Sequence, residues 1–379
     1  MKLIHISDLH IGKRVNEFSM LDDQEDILKK IVNVIECESP DCIIIAGDVY
    51  DKSIPSAEAV QLLDKFLSDI SGFDIPVFII SGNHDSPERI AFGANLMKKS
   101  GIYMSPVYDG NVMPAKVQDE HGQVNVYMLP FIRPANVRRF YPEEEIESYT
   151  DAVRTAINKM NIDYSERNIL ITHQFVTGAV RSDSEDISVG GTDNVDVSVF
   201  DGFDYVALGH IHRPQNVCSE RVRYCGTPLM YSFSEVNDKK SVTIAEFSVK
   251  GTLSLRETEL VPMHQMREIS GKYKDIVLLS QGEDENRRND YIHIILTDEE
   301  DIYDAVGKLR TVYPNIMKLD YNNQRTKSGY IIESDCKSDK KTPVELFEEF
   351  YIKQNNQPMS EVQKELACSL ISEIWEGEA

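Results

Sequence analysis

Short runs of β-branched and other apolar residues recur along the first two-thirds of the chain, and the stretches between them carry apolar residues at helical spacing. The runs at 2–7, 42–46, 77–81, 124–129, 168–172, 205–208 and 241–247 predict strands. Over 20–35, Ile27, Leu28, Ile31, Val34 and Ile35 recur with a helical period, and 56–70 repeats that pattern. Strands alternating with helices predict an α/β domain.

After about residue 265 the texture changes. The segment NDYIHIILTDEEDIYDAVGKLRTVYPNIMKLDY predicts strand, helix, strand, and the polar stretch SQGEDENRRND before it reads as a linker. From about residue 336 a second linker leads to two helices with defined starts. Thr342 with Glu345 and Ser360 with Gln363 form capping boxes, and Pro343 stands at a first helical position. Three segments are therefore expected: 1–265, 266–335 and 336–379.

Composition narrows the class. The chain has 379 residues, 41% of them hydrophobic, which supplies a core and excludes disorder as a description of the whole. No apolar run approaches the roughly 20 residues of a membrane span. The opening MKLIHISDLH reads as a strand, not a leader. The cysteines at 37, 42, 218, 225, 336 and 368 show no C-x-x-C spacing, so a reducing, intracellular compartment is expected. Charge is the unusual quantity. Against 40 Lys and Arg stand 63 Asp and Glu, a net charge of −23. Such a chain repels a polyanion on average, so a phosphate-bearing substrate must be drawn in by bound metal ions or a local basic patch.

Candidate chemistry gathers at strand ends. Asp8 and His10 follow the first strand, Asp48 and Asp51 the second, and Asn83, His84 and Asp85 the third. His173 ends a later strand, and His210 and His212 follow another. In open α/β sheets ligands bind outside the carboxyl ends of strands, so five such loops can converge. Asp, Asn and imidazole donors without thiolate suit manganese, iron or zinc in a reactive site better than a structural zinc. Asp8, His10, Asp48, Asn83, His173, His210 and His212 are too many donors for one ion. Two ions roughly 3.5–4 Å apart, bridged by a carboxylate, would clamp a phosphate and activate water for in-line attack. Gly47, Gly82 and Gly209 precede donors where the chain must turn tightly against a ligand.

The order DLH, GDVYD, GNHD, H and GHIH resembles the calcineurin-like metallophosphoesterase superfamily over residues 1 to about 250. The flanking DLHIGK, THQFVTGA, SVGGTDNVD, FDYVALGHIHRPQ and YCGTPLMYSFSE resemble the SbcD-type nucleases of double-strand-break repair, along the whole chain. The resemblance implies a β-sandwich flanked by helices, a small α/β capping domain that binds DNA, and C-terminal helices docking a partner. It implies that Asp8, His10, Asp48 and His212 hold one ion, that Asp48, Asn83, His173 and His210 hold the other, and that manganese is the metal. It makes His84 the catalytic histidine, suited to orient the phosphate and protonate the leaving 3′ oxygen. Asp51 and Asp85 could fix a histidine tautomer, or act as turn and capping residues.

Arg133, Arg138 and Arg139 in FIRPANVRRF, with Arg181 and Arg213, are candidates for tracking a DNA backbone. No base-reading motif occurs, so recognition is expected by backbone and shape. No G-x-x-x-x-G-K-[ST] loop occurs, so the chain should not hydrolyse ATP by itself. The resemblance supplies a separate SbcC-type ATPase with a long coiled coil, a homodimer within a heterotetramer, and a bacterial cytoplasmic setting at the nucleoid. Phe347, Phe350 and Tyr351 on the first C-terminal helix, and Val362, Leu366, Leu370, Ile374 and Trp375 on the second, form its expected dock. The function expected is a two-metal DNA exonuclease and endonuclease of repair and recombination. The alternatives are a phosphoesterase for small phosphodiesters or phosphoproteins, and a DNA-end tethering subunit.

Overall fold

The structure, a computed structural model, describes residues 1–185, 193–323, 342–355 and 357–377. The chain divides into two compact units, Met1–Met266 and Arg267–Ala379.

Two six-stranded sheets build the first unit. One has the order Ser254–Glu259, Ser241–Glu246, Lys2–Ile6, Cys42–Ala46, Val77–Ile80, Ile102–Met104. Its strands from Lys2–Ile6 to Ile102–Met104 pair in parallel. The other has the order Gln215–Val217, Ser219–Tyr224, Tyr205–Gly209, Arg167–His173, Gly122–Leu129, Ala115–Asp119, with parallel central pairs. Parallel neighbours need long crossovers, which is why helices alternate with these strands.

A strand buried on both faces must be apolar throughout, because successive side chains point to opposite sides. Cys42–Ala46 buries all five residues. Its Cys42, Ile44 and Ala46 join Leu3, Phe78 and Ile80 in one cluster with Val126, Ile169, Ile171, Tyr205 and Ala207 of the second sheet. That cluster is the filling of a sandwich, as the resemblance implied. Helix Leu21–Glu38 turns Ile27, Leu28, Ile31 and Ile35 inward, and helix Ala57–Ser71, capped by the Ser56 hydroxyl, buries Leu63, Phe66, Leu67 and Ile70. Helix Tyr149–Asn158 buries Ala152, Val153, Ala156 and Ile157 in a cluster with Leu170, Val206 and Leu208 of the second sheet. Each fully buried side chain of this size contributes roughly 1.5–3 kcal/mol.

The central strands lie within a residue or two of their predicted spans. Edge strands such as Ala115–Asp119 and Ser254–Glu259 give no signal in the sequence, because they are half exposed and carry no apolar run.

The second unit holds a three-stranded sheet ordered Met266–Gly271, Tyr291–Leu296, Ile316–Tyr321. Ile276, Ile292, Ile294, Leu296, Leu309, Tyr313 and Ile316 form its core. The stretch SQGEDENRRND is not a linker. Ser280 and Gln281 end helix Tyr273–Gln281, Asp284 caps the turn Glu285–Arg288, and Glu283 and Asp290 hold Arg267 at 2.9 and 2.7 Å. Its charges are engaged in local pairs, which polarity alone does not reveal. Helices Pro343–Asn355 and Glu361–Gly377 begin at the expected capping boxes: Thr342 N–H donates to Glu345 at 2.7 Å and Ser360 N–H to Gln363 at 2.9 Å. Among the described residues no helix is long and apolar enough to cross a membrane.

Candidate metal centre

The first sheet delivers Asp8, His10, Asp48, Asn83 and His84 just past the ends of its parallel strands, and the second delivers His173, His210 and His212. The backbone turns sharply there. Asp8, His10, Asp48 and His210 all take positive φ, at 53°, 44°, 47° and 104°. Such conformations are costly for residues with a Cβ and persist where surrounding structure fixes them. Gly47 itself has φ 87°, and a Cβ at Gly82 or Gly209 would run into the Asp48 carboxylate or the Ala46 carbonyl. These loops can approach one another only through glycine.

Donor atoms converge on Asp48. Its Oδ2 lies 3.2 Å from His173 Nε2, 3.8 Å from His10 Nε2 and 4.0 Å from His84 Nε2. Three triads offer mutually close donors: Asp8, His10 and His212; Asp8, Asp48 and His173; His10, Asp48 and His84. Asn83 Oδ1 completes the group, 3.0 Å from His173 Nε2 and 2.9 Å from His210 Nδ1.

These donors fit a cation on electrostatic grounds. His173 Nδ1–H donates to the Ala46 carbonyl at 2.9 Å, so in the neutral ring Nε2 carries a lone pair, and that lone pair faces Asp48 and Asn83 oxygens. Acceptors facing acceptors require positive charge between them. In the ion-free chain a proton supplies it: burial alone would lower the His173 pKa, yet Asp48 and Asp8 outweigh it and raise it to about 9. Burial drives His10 and His210 the other way, well below the usual imidazole range, so both are neutral, the form that ligates.

A model of the calcineurin-like phosphoesterases matches residues 1–214, and one described as the type 5 capsule protein repressor C-terminal domain matches residues 262–355. A dimetal phosphatase from Danio rerio is similar in structure at TM-score 0.39 and 11% identity, over 69% of this chain and 96% of that one. The SbcD subunit of the nuclease SbcCD from Staphylococcus saprophyticus is 33% identical over 323 residues, 84% of each chain. Its counterpart from Staphylococcus epidermidis is 33% identical over 385 aligned residues, covering both chains entirely. This chain belongs to the SbcD family of calcineurin-like phosphoesterases.

In this SbcD-family protein the carboxylates around the donors have separate tasks. The buried Asp85 carboxylate accepts the backbone N–H groups of Val49, Tyr50 and Gly82 at 3.1, 2.9 and 2.9 Å. It ties the Asp48 loop to the Asn83 loop by holding backbone, the turn role that is one of its two expected readings. Asp51 Oδ1 stands 3.8 Å from His10 Nδ1 and pairs with Lys13 at 2.8 Å. The Asp51 carbonyl accepts His84 Nδ1–H at 3.0 Å, which turns His84 Nε2 towards Asp48.

Several residues at the SbcD-family centre are not among those singled out from the sequence. Gln24 donates to the His10 carbonyl at 2.8 Å, and Tyr231 to the Leu9 carbonyl at 2.6 Å, holding the first loop from behind. Ser184, Glu185, Glu235 and Lys240 surround His212. Tyr231 and Glu235 lie in YCGTPLMYSFSE, one of the stretches that carry the family resemblance, but nothing in the spacing of the others marks them. A lysine buried beside a glutamate is the one signal, and it needs the fold to be seen.

The proposed DNA contacts divide. Arg133, Arg138 and Arg139 are exposed, and Arg133 lies over the Phe131 ring, which adjoins the His173 ring at 6.4 Å. Arg181 and Arg213 do not offer free guanidinium groups, because Arg181 pairs with Asp193 at 3.0 Å and stacks on Phe175, and Arg213 pairs with Asp238 at 2.8 Å. Of the expected dock, Phe347, Phe350, Val362, Leu366 and Leu370 are exposed and Tyr351 is half-buried. The side chains of Ile374 and Trp375 lie outside the described residues, as does Cys336.

Proposed function

We propose that this chain is the nuclease subunit of an SbcCD-type assembly, a metal-dependent phosphodiesterase that cuts DNA ends and hairpins in repair and recombination. The observation that carries the reading is the convergence of donors from both sheets on the single Asp48 carboxylate. Asp8, His10, Asp48 and His212 would hold one divalent ion, and Asp48, Asn83, His173 and His210 a second; this mixed oxygen and imidazole set suits manganese, iron or zinc, and the family resemblance favours manganese. Such ions, when bound, polarise a phosphodiester and lower the pKa of water.

The chain's own groups do the rest. Asp48 would be shared by the two ions, His173 holds its ring at a fixed tautomer through the Ala46 carbonyl, and His84 would meet the scissile phosphate. With its Nδ1–H engaged by the Asp51 carbonyl, His84 presents Nε2 for orienting a phosphoryl oxygen and passing a proton to the leaving 3′ oxygen. Exposed Arg133, over the Phe131 ring, with exposed Arg138 and Arg139, would contact a DNA backbone. The 266–335 segment serves as a DNA-binding cap, and the exposed apolar residues of 336–379 dock a coiled-coil ATPase, within a heterotetramer containing two copies of this chain.

The test is digestion of end-labelled linear and hairpin DNA under manganese, with and without the ATPase. Metal-dependent cutting of both is expected. Turnover of cyclic nucleotides or phosphopeptides with no DNA cleavage would replace this reading, and end-bridging without cleavage would reduce the chain to a tether.

A further inference from the structure

His212 is fastened at three points by one buried network. Its backbone N–H donates to Glu185 Oε1 at 2.7 Å, its carbonyl accepts Lys240 Nζ at 2.9 Å, and its ring Nδ1 lies 2.6 Å from the Ser184 hydroxyl. Ser184 Oγ in turn lies 2.5 Å from Glu235 Oε1. Lys240 also reaches Glu235 Oε2 at 2.5 Å and Thr227 Oγ1 at 2.8 Å. Glu235 and Lys240 are 0% and 2% exposed. A buried ammonium and carboxylate of this kind contribute little net stability over an apolar pair, which makes their presence behind a donor histidine informative.

The hydrogen-bond directions follow from the chemistry of each group. Glu235, paired with Lys240, is ionised and can only accept. The Ser184 hydroxyl therefore donates to Glu235 and turns its lone pair to His212. His212 Nδ1 must then carry the hydrogen, and the bare lone pair is left on Nε2, the atom that faces His10 Nε2 at 3.1 Å. A carboxylate polarising an imidazole N–H raises the basicity of the opposite nitrogen, and such partners set the affinity of a metal-binding histidine. His10 has no equivalent support among the described residues: its Nδ1 is buried without a hydrogen-bond partner, the nearest carboxylate oxygen being Asp51 Oδ1 at 3.8 Å.

We infer that Glu235, held by Lys240 and acting through the Ser184 hydroxyl, is a positioning residue that fixes the His212 tautomer and sets the metal affinity of the Asp8, His10, His212 side of the centre. The inference rests on the two-ion reading above and gives Ser184, which lies outside the strand-end loops in sequence, a role at the centre.

The test uses the full chain and manganese alone. Calorimetric titration gives the number of ions and their affinities for wild type, Ser184→Ala and Ser184→Thr, and thermal unfolding without metal checks the fold. Ser184→Ala should bind one ion about 10–100-fold more weakly and the other unchanged, while Ser184→Thr, which keeps the hydroxyl, should stay within about threefold of wild type. Nitrogen NMR of the metal-free protein should show His212 protonated at Nδ1 in wild type and mixed tautomers in Ser184→Ala. Wild-type affinity for both ions in Ser184→Ala overturns the inference while leaving the two-ion reading intact. A wild-type chain that binds no divalent ion removes both.

Discussion

His84 is joined to Asp48 by its backbone as well as faced by its ring: the His84 N–H donates to Asp48 Oδ1 at 2.9 Å, while the ring Nε2 stands 4.0 Å from Oδ2. The backbone link survives removal of the side chain. His84→Ala should therefore keep its metal and lose roughly 10²–10⁴-fold in DNA cleavage, the usual contribution of a proton-transferring group. His173→Ala removes a nitrogen 3.2 Å from Asp48 and should lose metal as well. Elemental analysis beside cleavage rates separates the two, and equal metal loss in both would refute the division of roles.

Gly82→Ala tests the close approach of two loops. The added methyl would run into both the Asp48 carboxylate oxygen and the Asp48 backbone nitrogen, so the backbone of one loop must move. Overpacking of this kind costs about 1–3 kcal/mol. The expected variant is folded but metal-poor, with a lowered Tm and manganese binding weakened at least about tenfold. Wild-type metal affinity in this variant would show that the contact is not needed.

The pH dependence of stability should carry the signature of His5. This histidine is fully buried in the first strand, its Nδ1 2.9 Å from the Tyr205 hydroxyl, and burial pushes its pKa down from 6.5 to about 3. Between those values the unfolded chain binds a proton that the folded chain refuses, so this group makes stability fall as pH falls through that window. The effect is on the order of a few kcal/mol at the acid end. His5→Gln removes the titration, and urea denaturation across pH 7 to 4 should show a flatter decline than wild type; parallel curves would exclude His5 as a contributor.

The exposed and the paired arginines should behave differently. Replacing Arg133, Arg138 and Arg139 by alanine should weaken DNA binding evenly across sequences and reduce the salt slope by up to about 0.9 per lost phosphate contact. Arg181→Ala and Arg213→Ala break ion pairs with Asp193 and Asp238, and should shift the Tm more than the slope. With a net charge of −23 the wild-type chain alone should bind weakly, its affinity rising when the ATPase is added. Fluorescence anisotropy over a salt series measures all of these, and tight binding by the isolated chain at physiological salt would contradict the role given to its charge.

The strands that position the centre were legible because burial on both faces forces continuous apolar runs, and each run ended in a donor residue. Cys42–Ala46 followed by Gly47 and Asp48 is such a case. Edge strands such as Ser254–Glu259 were hidden, since half-exposed positions accept polar residues and leave no period to read. The residues behind His212 were hidden for another reason. Ser184 with Glu185, and Glu235 with Lys240, are ordinary residue types in two pairs about fifty residues apart, and only the fold brings the pairs together behind His212. For Asp85 the sequence left two readings open, a histidine partner or a turn residue, and its three backbone amides from two loops decide for the second.

Asp48 comes from one sheet and His173 and His210 from the other, so an ion held among them rivets the two layers of the sandwich together. Because only the folded chain assembles these donors, each ion adds RT ln(1 + [ion]/Kd) to stability, about 2.7 kcal/mol at a hundredfold excess over Kd. Metal supply would then set how often the sandwich opens: a chain stripped of its ions should be cut faster in limited proteolysis than the same chain with manganese restored.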